Sequence, residues 1–86
     1  YDVVGLVESY DSKRGEAVVA VRNRLSLGDK VEVMQPLGDV FKHQLKQMAK
    51  ADTGEFLAQA HANYRVCIPM NPVKPYSMLR IRSVED

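Results

Sequence analysis

Short alternations of apolar and polar residues recur along the chain and predict β-strands. In residues 30–34, Val31 and Val33 face one side while Lys30 and Glu32 face the other, as in a strand with one buried face. Similar patterns predict strands at residues 3–10, 16–21, 64–69 and 78–82. The inward positions of three of these five strands are expected in the core: Val31, Val33, Val66, Ile68, Leu79 and Ile81.

Polar turns that contain glycine separate the predicted strands. Residues 11–15, Asp-Ser-Lys-Arg-Gly, have the composition of a hairpin loop, and so short a link allows only antiparallel pairing of the strands it joins. Gly5 within the first strand predicts a bend or a bulge, and Gly28-Asp29 predicts a further turn. Antiparallel strands at this spacing predict an all-β domain, a small barrel or a sandwich.

Residues 40–51 are ambiguous. Phe41, Leu45 and Met48 follow the i, i+4, i+7 spacing of an amphipathic helix, and the Lys, Gln and Ala residues between them favour a helix. As a strand, the segment would place His43 and Gln47 on the same face as Phe41 and Leu45, which is a poor alternation. Local propensity alone therefore predicts a helix here.

Length and composition suit one small globular domain. The 86 residues leave no room for two domains, and 45% hydrophobic with 27% charged residues is ordinary for a folded protein. Twelve basic residues balance eleven acidic ones, which gives a net charge of +1. The total charge therefore does not indicate a domain that depends on long-range attraction to nucleic acid, since such domains are usually far more basic.

The single cysteine, Cys67, lies in the predicted strand at residues 64–69. It cannot form an internal disulfide, and its apolar neighbours predict a small buried core residue. No apolar run approaches the roughly 20 residues that span a bilayer, so no membrane partner is expected. The chain begins at Tyr1 without an initiator methionine, which we interpret as a piece cut from a longer protein.

Catalytic and metal-binding motifs are not found in the sequence. His43 and His61 have no Cys, Asp or Glu at ligand spacing, so no metal or cofactor is expected. Asp52 and Glu55 flank Thr53-Gly54, and a hairpin turn explains them better than a calcium loop, which needs more oxygen ligands. We therefore expect this domain to have no enzymatic activity of its own.

Arg22, Asn23 and Arg24 form the most suggestive polar cluster. Guanidinium groups bind phosphate and carboxylate through paired hydrogen bonds, so this cluster is a candidate contact with an anionic partner. The alternative is a polar strand end in which the Asn23 side chain bonds its own backbone in a turn.

Three segments carry a family resemblance. They are residues 4–7 (Val-Gly-Leu-Val), residues 21–36 with Asn-Arg, then Gly-Asp, then an alternating strand that ends before Pro, and residues 64–69 together with Met78-Leu79-Arg80. Taken together, these segments resemble the C-terminal domain of the collagenase-like peptidase family U32. The resemblance covers nearly the whole chain, and the middle segment is the most specific part of it.

The resemblance implies a compact β-barrel, similar to the barrel domains appended to translation factors, that follows a larger catalytic domain. The catalytic part is described as a collagenase-like peptidase, although several bacterial members look like proteins that support hydroxylation of uridine or cytidine in tRNA or ribosomal RNA. The residues for either activity would lie upstream, so none is assigned here. The family has a strand, a turn and a strand at residues 40–60, so the resemblance predicts strands at 40–51 and a hairpin turn at 52–54.

The favoured hypothesis is a non-catalytic accessory domain that helps an upstream catalytic domain of the same chain to bind RNA or a protein substrate in the cytoplasm. The alternative is a purely structural lid or an oligomerisation domain. RNA binding would require basic residues to share one surface, and the first and last strands of a barrel tend to meet. The candidate binding residues are therefore Arg22, Asn23, Arg24, Lys30, Arg80 and Arg82.

Overall fold

The computed structural model describes residues 2–81, and every regular element in that part of the chain is a β-strand. The strands are β1 (Asp2–Asp11), β2 (Glu16–Val21), β3 (Leu25–Ser26), β4 (Lys30–Met34), β5 (Val40–Gln44), β6 (Ala49–Lys50), β7 (Gln59–Ala60), β8 (Arg65–Pro69) and β9 (Met78–Ile81). All the strand pairs are antiparallel. The all-β prediction is confirmed.

Seven strands form one sheet in the order β5-β4-β9-β1-β2-β8-β6, and β3 pairs with β7 in a second, two-stranded sheet. The first and last strands meet as expected, because β1 pairs with both β2 and β9. The edge strands β5 and β6 are consecutive in the chain and are separated only by residues 45–48, so the sheet must curve strongly. No ladder joins β5 to β6 within residues 2–81, and a closed barrel stays a prediction.

The hairpin between β1 and β2 forms as the composition of its loop predicts. Asp11 Oδ1 accepts hydrogen bonds from the backbone N–H groups of Lys13 and Arg14, at 3.0 and 3.3 Å. Gly15 adopts a left-handed φ of 68°, and its N–H donates to the Asp11 carbonyl at 2.8 Å. The aspartate thus replaces the strand hydrogen bonds that the turn lacks.

Residues 40–51 form a strand, a bend and a strand, so the helix predicted from local propensity is wrong and the family-based prediction is confirmed. Phe41 is half-buried on the inner face of β5, while Leu45 and Met48 are fully buried after the bend. The bend interrupts the strict in-and-out alternation of a strand. The inward side chains of Phe41, Leu45 and Met48 therefore have the i, i+4, i+7 spacing that is also typical of a helix face. The N–H of Gly28 donates to the Leu45 carbonyl at 2.7 Å, and the N–H of Leu45 donates to the Asp29 carbonyl at 2.8 Å.

The predicted turn at residues 52–54 is also confirmed. The N–H of Lys50 donates to the Glu55 carbonyl and the N–H of Gly54 donates to the Lys50 carbonyl, both at 2.8 Å. Gly54 has a left-handed φ of 77°, which glycine adopts without a steric penalty. The turn reverses the chain so that Phe56 bridges to Ala49 in antiparallel fashion.

The core lies inside the curved sheet and consists mainly of β-branched residues, which suit a half-buried pleated surface. Ile81, by contrast with the other predicted core residues, is only half-buried and packs against the edge of the core. It lies opposite Asp2, the last pair of the β1–β9 ladder within the described residues. The other five predicted core residues are fully buried: Val31, Val33, Val66, Ile68 and Leu79.

Cys67 departs from the prediction of a buried core residue. Because Val66 and Ile68 point inward, the alternation of β8 turns Cys67 to the outer face, where it is half-buried opposite Val18 and Ala49. Burial raises the pKa of the Cys67 thiol, and the carboxylate of Glu16 raises it further.

Candidate substrate-contact surface

The predicted cluster after β2 is exposed and is built around a turn. The backbone N–H groups of Arg22 and Asn23 both donate to the carbonyl of Val4, at 2.8 and 3.3 Å. The side-chain Oδ1 of Asn23 accepts a hydrogen bond from the N–H of Arg24 at 2.8 Å. The turn role considered for Asn23 is therefore observed, and the two arginine side chains extend into solvent.

Arg80 and Lys30 differ in how freely they present their charge. The Nε of Arg80 donates to Oε1 of Glu32 at 2.8 Å, and both side chains are largely buried, so much of the positive charge of Arg80 is balanced within the sheet. Lys30 is exposed at the start of β4, opposite Gln44. Arg82 lies outside the described residues.

Two of the predicted residues, Arg22 and Arg80, both lie near Val3. Arg80 is the direct cross-strand partner of Val3, and Arg22 lines a hollow of about 270 Å³ together with Val3, Leu6 and Met78. The meeting of β1 and β9 thus brings Arg22 and Arg80 to the same part of the outer face. Whether these residues bind a ligand stays a prediction.

A larger hollow lies at the start of β8, and the sequence analysis did not identify it. It has a volume of about 520 Å³ and is called the Tyr64 groove below. The turn after β6 forms one wall and the segment that leads into β8 forms the other. Its lining residues are Lys50, Ala51, Asp52, Asn63, Tyr64 and Arg65.

Backbone pairing with β2 fixes the segment that carries Asn63 and Tyr64. The N–H of Asn63 donates to the Val21 carbonyl, and the N–H of Val21 donates to the Tyr64 carbonyl, both at 2.8 Å. Asn63 adopts a left-handed φ of 75°, a conformation that Asn tolerates better than most residues. Tyr64 follows this turn, lines the groove and packs half-buried against the core.

Aromatic contacts position the cation of the groove. The Nζ of Lys50 lies 5.3 Å from the centroid of the Tyr64 ring, within the range of a cation–π interaction. On another side, the ring of His61 meets that of Tyr64 edge-on, with centroids 5.7 Å apart and planes at 82°. Tyr64 therefore holds the ammonium group of Lys50 at the surface of the groove.

Arg65 forms the opposite lip of the groove through a paired contact with Glu8. Its Nε and one terminal nitrogen donate to the two carboxylate oxygens of Glu8, at 2.6 and 3.3 Å. This hydrogen bonding, together with the charge of Glu8, raises the pKa of Arg65 above its ordinary value. The pair is exposed, so its main effect is to fix the direction of the guanidinium group.

A second hollow adjoins the Tyr64 groove and connects it to the predicted residues. It has a volume of about 320 Å³, shares Asn63, Tyr64 and Arg65 with the groove, and extends to Arg22. The local sequence did contain a signal, because Tyr64-Arg65 joins an aromatic residue to a cation after the turn residue Asn63. The contributions of Lys50 and Glu8 depend on strand pairing and have no counterpart in local sequence.

The two histidines lie apart from each other in surroundings of different kinds. His43 lines a hollow of about 410 Å³ with Lys42, Lys46 and Pro69, and burial lowers its pKa from the ordinary value, with a hydrogen bond to the Pro69 carbonyl acting in the opposite direction. His61 is exposed beside Tyr64. Within residues 2–81, no three His, Cys, Asp or Glu side chains are grouped so that they could hold a metal ion, and no helix is long and apolar enough to cross a membrane.

Comparisons with known proteins define the family. No curated protein matches the chain. Among solved structures, the C-terminal domain of a "putative U32 peptidase" from Geobacillus thermoleovorans is 32% identical, with a TM-score of 0.86 over 95% of this chain and 93% of that one. Its selenomethionine variant is 33% identical, with the same TM-score over 93% of this chain and 99% of that one. The family described as the peptidase family U32 C-terminal domain matches residues 1–80, and the chain belongs to this family.

Proposed function

We propose that this domain is a non-catalytic accessory module of a U32-family protein and that it helps an upstream catalytic domain to hold a macromolecular substrate. The observation that carries the proposal is the Tyr64 groove. It presents an ammonium group, a guanidinium group and a side-chain amide from Lys50, Arg65 and Asn63 along one open hollow of about 520 Å³. An open groove of this kind suits a chain that passes across the surface better than an enclosed small molecule.

RNA is the substrate class that the groove favours. Lysine and arginine side chains bind phosphate oxygens, and a groove that follows a phosphate backbone needs cations spaced along its length. Tyr64 and Glu8 hold the two cations in fixed directions, which lowers the entropic cost of binding. Because Asp52 lines the groove and Glu8 lies in the adjoining hollow, paired with Arg65, the affinity should be weak and should fall with added salt.

The proposal is tested by measuring the binding of single-stranded RNA to the domain with fluorescence anisotropy, at about 50 and about 200 mM salt. Lys50→Ala should weaken binding and reduce the salt slope by about one unit. Arg65→Ala should also weaken binding, with a smaller change in the salt slope, because Glu8 already balances part of the charge of Arg65. Lys13→Ala is the matched control, because Lys13 is exposed in the hairpin between β1 and β2. The same domain should not cleave gelatin or casein.

Three results would count against this proposal. Equal binding by the Lys50→Ala, Arg65→Ala and Lys13→Ala variants would exclude the Tyr64 groove as the RNA site. Binding of gelatin or casein in place of RNA, lost in the groove variants, would assign the same groove to protein substrates. Failure of both probes would favour a structural lid or an oligomerisation role.

We also propose that the curved sheet closes into a barrel like those appended to translation factors. The two edge strands belong to one run of chain, and two of the four residues between them, Leu45 and Met48, are buried in the core. Closure removes exposed strand edges, which are sites of unwanted pairing. Closure would be contradicted by an experimental structure in which residues 45–48 make no hydrogen bonds to either edge strand, β5 or β6.

A further inference from the structure

An apolar row crosses the outer face of the sheet. Residues directly opposite each other on paired strands present their side chains on the same face, and the register aligns four apolar residues on β5, β4, β9 and β1 in this way. In spatial order they are Val40, Met34, Met78 and Leu6. Val40 is 51% exposed, Met78 is 38% exposed, and Met34 and Leu6 are half-buried, so the row is open to solvent in the described part of the domain.

Two turns lie beside this row, one between β4 and β5 and the other immediately before β9. Leu37, 80% exposed, lies in the turn that joins Met34 to Val40, and Tyr76, 77% exposed, lies in the turn that leads into Met78. The two turns are tied together, because the N–H of Lys74 donates to Oε1 of Gln35 at 3.2 Å. The four row residues with Leu37 and Tyr76 are called the apolar face below.

Tyr76 is held outward in a strained backbone conformation. The N–H of Ser77 donates to the carbonyl of Lys74 at 3.3 Å, and Pro75 and Tyr76 occupy the two central positions of this β-turn. The φ of Tyr76 is 71°, as in a type II turn, where glycine or asparagine is usual at this position. A bulky residue in this region is an outlier, and strain of this kind concentrates at contact sites.

The border of the apolar face is mainly basic. Lys42 is two residues from Val40 on the same face of β5, Lys74 precedes the Tyr76 turn, and Arg22 lines a hollow with Leu6 and Met78. No ion pair engages these three cations within the described part of the chain. Two acidic residues also lie at this border: Asp39, and Glu32 directly opposite Lys42. Glu32 is paired with Arg80, so the border carries a net positive charge.

We propose that the apolar face docks against the upstream part of the same polypeptide, on a surface with an apolar centre and an acidic border. The inference rests on the proposed function, in which the domain serves a catalytic part of its own chain. β1 begins at Asp2, and Val3 already lines the hollow beside Leu6 and Met78. A segment that enters through β1 therefore arrives beside the apolar face, and tethering raises its effective concentration there.

A second copy of the domain fits this face less well. Two copies that meet through it would oppose their basic borders, and like charges across an interface disfavour association. The proposed surface on the upstream part instead complements both the apolar centre and the charge of the border. Docking there would also fix the direction in which the Tyr64 groove faces, because Arg65 continues the line of the apolar row beyond Leu6 and Ala20.

Methionine oxidation in the full-length protein tests the proposal, because Met34 and Met78 belong to the apolar face. The probe is hydrogen peroxide, with the rate at each methionine measured by mass spectrometry. The reference is the methionine introduced by Leu27→Met, since Leu27 is 40% exposed, close to the 38% of Met78. Met48 and Met70, at 0% and 7% exposure, report whether the domain stays folded.

Docking predicts that Met78 in the full-length protein is oxidised roughly tenfold more slowly than the reference methionine, because a covered sulfur is inaccessible to the oxidant. The charge-reversed variant Lys42→Glu, Lys74→Glu should bring Met78 to the rate of the reference, while Met48 and Met70 remain slow. Lys13→Glu is the control, because it makes a charge reversal away from the apolar face, and it should leave Met78 protected.

Equal oxidation of Met78 and the reference in the unmodified full-length protein would overturn the proposal. Protection that disappears on dilution would assign the face to a second copy, and protection that survives the Lys42→Glu, Lys74→Glu change would contradict the acidic border. RNA binding by the Tyr64 groove, measured on the same preparations, should be weakened by Lys50→Ala and left unchanged by Lys74→Glu. Failure of docking and failure of the proposed function are thereby distinguished.

Discussion

A Cβ atom placed on Gly5 would lie 2.7 Å from Cγ1 of Val19. Gly5 is in the middle of β1, with β2 on one side and β9 on the other, and its cross-strand partners are Val21 and Leu79. The register of β1 against β9 shifts between Val3 and Gly5, which confirms the bend or bulge expected at this glycine. The missing side chain therefore lets Val19 fill the centre of the core.

Gly5→Ala should destabilise the domain by about 2 kcal/mol, since an added methyl group in a packed core forces neighbouring side chains or backbone to move. The free energy of unfolding from urea denaturation measures this effect. Val19→Ala removes the clashing methyl group, so the double variant should lose less stability than the sum of the two single variants. Strict additivity would show that the contact between these two positions is not the cause.

Tyr76→Gly should stabilise the isolated domain by about 1 kcal/mol, because relief of a left-handed φ at a bulky residue outweighs the added entropy of glycine in the unfolded chain. Tyr76 is 77% exposed, so little packing is lost. Thermal unfolding measures the change, with Tyr76→Ala as the control that keeps the strain. A loss of stability in Tyr76→Gly would mean that the ring makes a stabilising contact in the free domain.

Stability should fall as the pH drops below the ordinary pKa of histidine, and His43 should account for part of this fall. Burial lowers the pKa of His43 in the folded state, so the unfolded chain binds more protons in the range between the two pKa values. Stability therefore rises with pH through that range and is lost as the pH falls through it. The effect should be modest, because His43 is only half-buried.

Urea midpoints at about pH 7.5 and about pH 5.5, on either side of the ordinary pKa of histidine, measure the contribution of His43. His43→Gln should reduce the difference between the two midpoints. His61→Gln is the matched control, because His61 is exposed, and it should leave the difference nearly unchanged. An unchanged difference in His43→Gln would assign the acid sensitivity to other groups.

Cys67 should react with iodoacetamide more slowly than free glutathione at neutral pH. Burial and the nearby Glu16 carboxylate raise the pKa of its thiol, so less thiolate is present, and the thiolate is the reactive species. The rate should increase steeply as the pH approaches the raised pKa. Rapid labelling at neutral pH would show that Cys67 has a more basic environment than its position opposite Val18 and Ala49 provides.

The sequence by itself determined five of the strands (β1, β2, β4, β8 and β9), the turns that contain glycine, and five of the six core residues predicted from alternation. Alternation placed Val31 and Val33 inward on β4, and Asp11 with Gly15 specified the first hairpin, because these signals act over a few residues through sterics and local hydrogen bonds. The same alternation, applied strictly to β8, would have turned Cys67 outward, away from the face that Val66 and Ile68 share. The family resemblance supplied the strands at residues 40–51 that local propensity missed.

Only the tertiary structure decided which distant residues meet. The inward spacing of Phe41, Leu45 and Met48 has two physical explanations, a helix face or two strands joined by a bend. The local pattern does not distinguish them, whereas the pairing of β5 with β4 and of β6 with β8 does. The Tyr64 groove likewise needs Lys50 from β6 beside the start of β8, a contact set by strand pairing. Pairing between segments remote in sequence is fixed by burial and backbone satisfaction across the whole sheet, which no local pattern contains.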